Sequence, residues 1–218
     1  VSVKLYGYWR SSATWRVRLG LVWKKLPYEV VPVNISPQAS EQWGQDHLAR
    51  NPTGQVPVLE VVEEDGQTVR LTQSLAILEY LDERWPTPAL LPHDRLGRAH
   101  ARRLAENVNA GIQPLQNLSV LRKVKTELGH DSDAWARHFI RKGLEALEAE
   151  AQGVGGRFMV GDAFSIADVC LLPQLYNARR FGASLEGLDT LLRVEAACEA
   201  LPGLAAAHPD RQIDAPKE

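Results

Sequence analysis

The spacing of hydrophobic positions changes several times along this chain, and each change marks an element. Val3 and Leu5 alternate with Ser2 and Lys4, a period of two that predicts a strand from Val3 to Tyr8, with Gly7 loosening its end. From Ser12 the spacing lengthens, and Val17, Leu21 and Val22 line one face of a helix reaching Trp23. Tyr28 to Val33 is apolar and β-branched, a second strand. Pro37 to Gly44 reads as a polar, irregular connection with room for a turn of helix. A third strand runs from Val58 to Val62, Asp65-Gly66 is a hairpin signal, and Thr68 to Leu71 returns. Leu75, Leu78 and Leu81 then share the face of a helix that ends before Pro86.

After the proline-rich connector Thr87 to Pro92, no period-two pattern recurs. Helical spacing covers about Asp94 to Val124, Asp133 to Ala151, Ser165 to Phe181 and Leu191 to Ala200. The expectation is a βαβ-ββα domain over residues 1–85, a linker over 86–92 and an all-helical domain over 93–218. The polar end, His208 to Glu218, reads as frayed.

Bulk properties narrow the function classes. With 25 basic and 27 acidic residues the formal charge is −2, which gives no electrostatic case for nucleic acid or an anionic membrane. No apolar run is long enough for a bilayer, and the chain enters its first strand without a signal-like segment. Cys170 and Cys198 sit inside helical apolar patterns, as expected of reduced core residues in a cytoplasmic protein. The six histidines form no HxxxH or HExxH spacing, so no metal is expected.

Candidate chemistry begins where the first strand meets the first helix. Ser11, Ser12 and Thr14 crowd that junction between Arg10, Arg16 and Arg18. A helix N-terminus carries unsatisfied N–H groups and a positive partial charge, so it attracts anions. The hydroxyls there either cap the helix or donate to a thiolate or carboxylate, and the second use is the expectation. Gln55-Val56-Pro57 reads first as an ordinary turn proline entering a strand. Its other reading is a cis peptide that turns the Val56 backbone outward for a peptide-like ligand to pair with.

Ser74 reads as an N-cap, and the absence of Glu or Gln at Ile77 leaves donors at that helix end for a carboxylate. Residues 107–121 carry no charge; Leu104, Val108, Ile112 and Leu115 supply a core face. The amide face of Asn109, Gln113 and Asn117 suits either a binding cleft or subunit contact, or burial among neighbouring helices. Pro114 is expected to kink this helix. Ser165-x-x-Asp168 is a capping box, a folding signal with no catalytic role for Asp168. Arg179-Arg180 is either a solvated pair at a helix end or a carboxylate clamp.

Four segments in this order resemble the glutathione transferases, specifically their zeta class. They are Ser11-Ser12-x-x-Trp15-Arg16-Val17-Arg18, Asn51-Pro52-x-x-Gln55-Val56-Pro57, Gln73-Ser74-Leu75-Ala76-Ile77 and Gly111 through Leu121. The resemblance covers nearly the whole chain. It implies a thioredoxin-like domain followed by a helical domain, a homodimer, and glutathione as cofactor.

By resemblance, Ser11, aided by Ser12, would meet the glutathione sulfur, and Val56, held by cis-Pro57 beside Gln55, would pair with the cysteinyl backbone. Gln73 and Ser74 would hold the γ-glutamyl end, Arg16 would be either a further cofactor-binding residue or structural, and Gln42 would lie near the glycyl end. Gln113, Asn117 and Ser119 match contacts from the helical domain, and Arg10 and Arg180 match residues that bind an acidic substrate.

The activity implied is cis–trans isomerisation of maleylacetoacetate, a dicarboxylate keto acid, by reversible thiolate addition. Maleylpyruvate isomerisation, or dehalogenation of small α-halo acids, is the nearer alternative, and a non-catalytic glutathione-fold binding protein the remoter one. Ala13 stands where the family motif usually has cysteine. Because glutathione brings its own thiol, this departure bears on the choice of substrate rather than on the class.

Overall fold

A computed structural model describes residues 1–216, so Lys217 and Glu218, the end of the segment expected to fray, lie outside the described residues. Four strands form one sheet: β1 (Ser2–Gly7), β2 (Glu29–Pro32), β3 (Val58–Val62) and β4 (Thr68–Thr72). Their order is β2-β1-β3-β4; β1 runs parallel to β2 and antiparallel to β3, which pairs antiparallel with β4. Helix α1 (Ser12–Trp23) makes the crossover between the parallel strands, as a parallel pair requires. Helix α2 (Gln45–Arg50) precedes β3, and α3 (Ser74–Arg84) follows β4.

Alternation along the strands sorts the apolar side chains into two layers. Val3, Leu5, Leu59 and Val61 on one face pack with Val17 and Leu21 of α1 and Ile77 and Leu81 of α3. Tyr6, Val33, Val56 and Val58 form a smaller cluster. Every residue from Thr14 to Leu21 is buried, Arg16 and Arg18 included, so α1 is an interior helix in spite of its charges. Gly20 permits the approach of α3, because a β-carbon there would lie 2.3 Å from Leu78 Cδ2. Lys24 Nζ donates to Asp82 Oδ1 at 2.5 Å and to the Trp85 carbonyl at 2.7 Å, locking the end of α1 to the end of α3.

The chain divides into two compact units. One comprises Val1–Leu90 together with the segment from Pro202 onward; the other is Leu91–Leu201. The expected second domain ran to residue 218, whereas the end of the chain packs with the first unit. It is also ordered into two turns, Leu204–Ala207 and Pro209–Arg211, the second lying in the stretch from His208 where fraying was expected. Arg18 explains the difference: its Nε donates to the Ala207 carbonyl at 3.0 Å, and the Trp15 and His208 rings meet edge-on at 5.2 Å.

The second unit holds α4 (Arg95–Glu106), α5 (Leu118–Thr126), α6 (Ser132–Val154), α7 (Ile166–Phe181) and α8 (Asp189–Glu199). The single helix expected from Asp94 to Val124 is broken by a π-helical segment, Asn107–Ile112, and a 3₁₀ turn, Gln113–Gln116. Pro114, in the first turn of the latter, has no N–H to continue an α-helical ladder. No helix is long and apolar enough to cross a membrane among the described residues.

The Ser165–Asp168 capping box forms as expected. Asp168 accepts from Ser165 N at 2.8 Å, Ser165 Oγ at 2.9 Å and Met159 N at 2.8 Å. Burial pushes its carboxyl up to about 6, against the pull of those donors. Its partners are all structural. Helix α8 has no side-chain cap of its own at Leu188; instead Glu148 of α6 accepts from Thr190 N and Leu191 N, each at 3.0 Å.

Candidate functional site

Ser11 is the N-cap of α1, with extended backbone (φ −66°, ψ 121°), and its Oγ accepts from Thr14 N at 3.2 Å. The sequence posed capping and donation as alternatives, but one hydroxyl can do both: its oxygen accepts while its hydrogen remains to donate. Gly7 makes room for this junction, since a β-carbon there would lie 2.2 Å from Thr14 Cγ2. Ser12 is the first residue of α1 and half-buried. Arg10 lies in the turn before Ser11, with its guanidinium 5.1 Å from the centre of the Trp9 ring.

The Val56–Pro57 peptide is cis. Val56 lies just before β3, and its N–H and C=O form no backbone hydrogen bond among the described residues. The preceding carbonyl is tightly held: Gln55 O accepts from Asn51 Nδ2 at 2.9 Å and from His47 Nε2 at 2.9 Å, so the imidazole proton sits on Nε2. Neither anchor was named as functional from sequence, although Asn51-Pro52-Thr53-Gly54 carried a signal. Asn51 Oδ1 accepts from both Thr53 N and Thr53 Oγ1, the local turn that Asn favours.

At the start of α3 the sequence expectation needs correcting. Gln73, at φ 68°, is the N-cap and offers no side-chain cap bond; Ser74 is already the first helical residue. The left-handed backbone at Gln73 displaces the cap by one position. Ser74 is buried, and its Oγ accepts from Arg16 Nη1 at 3.3 Å, while Gln73 Nε2 donates to Gln55 Oε1 at 3.3 Å. Contacts therefore run from Gln55 through Gln73-Ser74 to Arg16 on the helix that Ser11 begins. Gln42 lies in the turn Glu41–Trp43, and its Oε1 is buried without a partner among the described residues.

The remaining candidates belong to the second unit. Asn117 caps α5, its Oδ1 accepting from Ser119 N at 3.2 Å and Ser119 Oγ at 3.3 Å. Gln113 opens the 3₁₀ turn and is half-buried. The buried amide pair is instead Gln116 with Gln174, at 2.7 Å. Arg179 grips Glu195 with two bonds, at 2.6 and 2.5 Å, so its charge, although exposed, is already paired within the fold. Arg180 is exposed, its guanidinium 4.6 Å from the Phe181 ring centre.

Residues 1–83 match the family model "Glutathione S-transferase, N-terminal domain", and residues 132–207 match the corresponding C-terminal domain model. The chain belongs to the glutathione S-transferase family. Within that family it is similar to maleylacetoacetate isomerase of Rattus norvegicus, 44% identical over 98% of this chain and 95% of the relative. A crystal structure of maleylacetoacetate isomerase from Anaeromyxobacter dehalogenans, described with bound GSH in the active site, is 57% identical. It superposes with a TM-score of 0.90 over 99% of this chain and 98% of that one. A bacterial maleyl pyruvate isomerase described as zeta class is 36% identical, with a TM-score of 0.89 over 98% of this chain and 100% of that one. These relatives place the chain in the zeta class of glutathione S-transferases.

Proposed function

We propose that the protein is a glutathione-dependent cis–trans isomerase that converts maleylacetoacetate to its fumaryl isomer. The observation that carries this reading is full-length similarity to maleylacetoacetate isomerases, one of them with glutathione in its active site. The residues present fit that cofactor: a hydroxyl with a spare hydrogen at a helix N-terminus, an unpaired backbone edge at Val56, and an uncapped helix start at Gln73-Ser74.

Bound glutathione supplies a thiolate nucleophile that adds reversibly to the cis double bond and leaves after rotation. Ser11 donates its hydroxyl hydrogen toward the sulfur, and the N-terminal N–H groups of α1 favour the anionic form. Val56 presents its backbone N–H and C=O as an edge for an added peptide strand. The first N–H groups of α3, with Gln73 and Ser74, receive the γ-glutamyl carboxylate. Arg16 orients Ser74 through their hydrogen bond, and Gln42 is assigned to the glycyl end by resemblance alone. Arg10 supplies the charge for a substrate carboxylate. Gln113, Asn117, Ser119 and Arg180 are assigned by resemblance alone, as are the homodimer and, together with the two buried free cysteines, a cytoplasmic location.

A steady-state assay with maleylacetoacetate tests the reading. Turnover is expected with glutathione and abolished without it; absence of isomerisation, or indifference to glutathione, overturns the proposal. Arg180→Ala is expected to raise KM for the diacid several-fold and leave glutathione affinity near that of the parent. Maleylpyruvate is the second substrate to assay, because Ala13 and the likeness to maleyl pyruvate isomerase both favour it. A small α-halo acid completes the panel.

A further inference from the structure

The turn that delivers Ser11 is held from the far end of the chain. Ser11 N donates to the Tyr8 carbonyl at 3.0 Å, closing a four-residue turn with Trp9 and Arg10 at its centre. Central residues of such a turn have no ladder to join, so their N–H and C=O groups need partners from elsewhere. At Trp9 both are supplied. Its N–H donates to Asp214 Oδ2 at 2.9 Å, across 205 positions of sequence, and its carbonyl accepts from Arg18 Nη2 at 2.8 Å.

Arg18 is itself part of the same attachment. Only 1% exposed, it bridges the Trp9 carbonyl and the Ala207 carbonyl. Asp214 also interacts favourably with the charge of Arg18, whose guanidinium burial lowers to about 10, still protonated at neutral pH. The terminal segment has internal bracing to transmit position: Gln212 Nε2 donates to the carbonyls of Ala206 and His208. The His208 ring rests edge-on against Trp15 of α1. One oxygen of Asp214 is thus committed to the turn, while Oδ1 is buried without a partner among the described residues.

We propose that Asp214 is a positioning residue for Ser11: through Trp9 it fixes the Tyr8–Ser11 turn and so aims the Ser11 hydroxyl. The proposal rests on the reading of Ser11 as the donor to glutathione sulfur. Asp214 touches neither cofactor nor substrate. A charge-assisted bond from a half-buried backbone N–H is a strong tether for a turn, and its loss removes the partner that the structure gives that N–H. A shift of a few tenths of an ångström at Ser11 weakens donation to a thiolate more than it weakens binding of the rest of a tripeptide.

The test uses the full-length chain and three variants, Asp214→Ala, Asp214→Asn and Ser11→Ala. The first readout is the pH titration of the thiol of bound glutathione, followed by thiolate absorbance in the ultraviolet, with no substrate present. The second is hydrogen exchange at the Trp9 amide in the glutathione-free protein, and the third is kcat with KM for glutathione.

Asp214→Ala is expected to raise the thiol titration midpoint, speed Trp9 exchange at least tenfold and lower kcat several-fold, with KM for glutathione changed less than twofold. Asp214→Asn, which keeps an acceptor oxygen facing Trp9, is expected to recover most of all three effects; it also serves if Asp214→Ala folds poorly. A thiol midpoint unchanged in Asp214→Ala overturns the proposal, as does equal impairment of both Asp214 variants with the midpoint unmoved. If Ser11→Ala itself leaves the midpoint unmoved, the reading of Ser11 has failed. If Ser11→Ala moves it and Asp214→Ala does not, only the positioning role has.

Discussion

Ser11 shows how one hydroxyl serves folding and chemistry together, and the two can be separated by experiment. Removing it deletes an N-cap acceptor, which costs about 1 kcal/mol of stability. It also removes a donor aimed at developing charge, which costs on the order of 100-fold in rate. Ser11→Ala should therefore lower the melting temperature slightly and kcat severely, whereas Ser12→Ala, one position along on the helix, should leave kcat close to the parent. Equal rate losses, measured with maleylacetoacetate at saturating glutathione, would assign the donor wrongly. Arg16 had a dual reading from sequence, cofactor residue or structural. Its burial and its bond to Ser74 make it a support for a proposed binding residue.

Elements in this molecule are often terminated or joined by residues from other elements. Glu148 is the clearest case, since α8 begins without a cap and borrows one from α6. Burial alone would raise the Glu148 carboxyl, but bonds from Thr190, Leu191 and Gln152 together outweigh it and hold the group below the ordinary glutamate range. A depressed acid stabilises the fold above its unfolded pKa and loses that contribution as pH falls through its folded value. Urea denaturation at pH 7 and again near pH 3.5 should show a loss in the parent that is smaller in Glu148→Gln. The α1–α3 contact makes a second prediction. Gly20→Val inserts volume against Leu78 Cδ2 and should cost about 1–3 kcal/mol, read as a lower urea midpoint at unchanged slope.

At the scale of the whole molecule, a cofactor that binds only the native state must raise its stability by mass action. Glutathione at 100 times its dissociation constant should add about 2.7 kcal/mol, visible as a rise in melting temperature that Ser11→Ala retains in large part, because most of the tripeptide's contacts lie elsewhere. Much of this protein was legible beforehand. The sequence alone determined the four strands and the capping box at Ser165, because periodicity and local turn chemistry act over a few residues; the grouping of Ser11, Val56 and Gln73-Ser74 into one proposed site came from the family resemblance. Short α2 escaped detection because six residues carry too little pattern, and the break at 107–116 because Pro114 announces a kink without its form. Only the tertiary structure decided that Gln73, not Ser74, caps α3 and that His47 and Asn51 hold the Gln55 carbonyl. It alone joined Asp214 to Trp9, 205 positions apart, since a hydrogen bond between distant segments leaves no spacing in the chain to read.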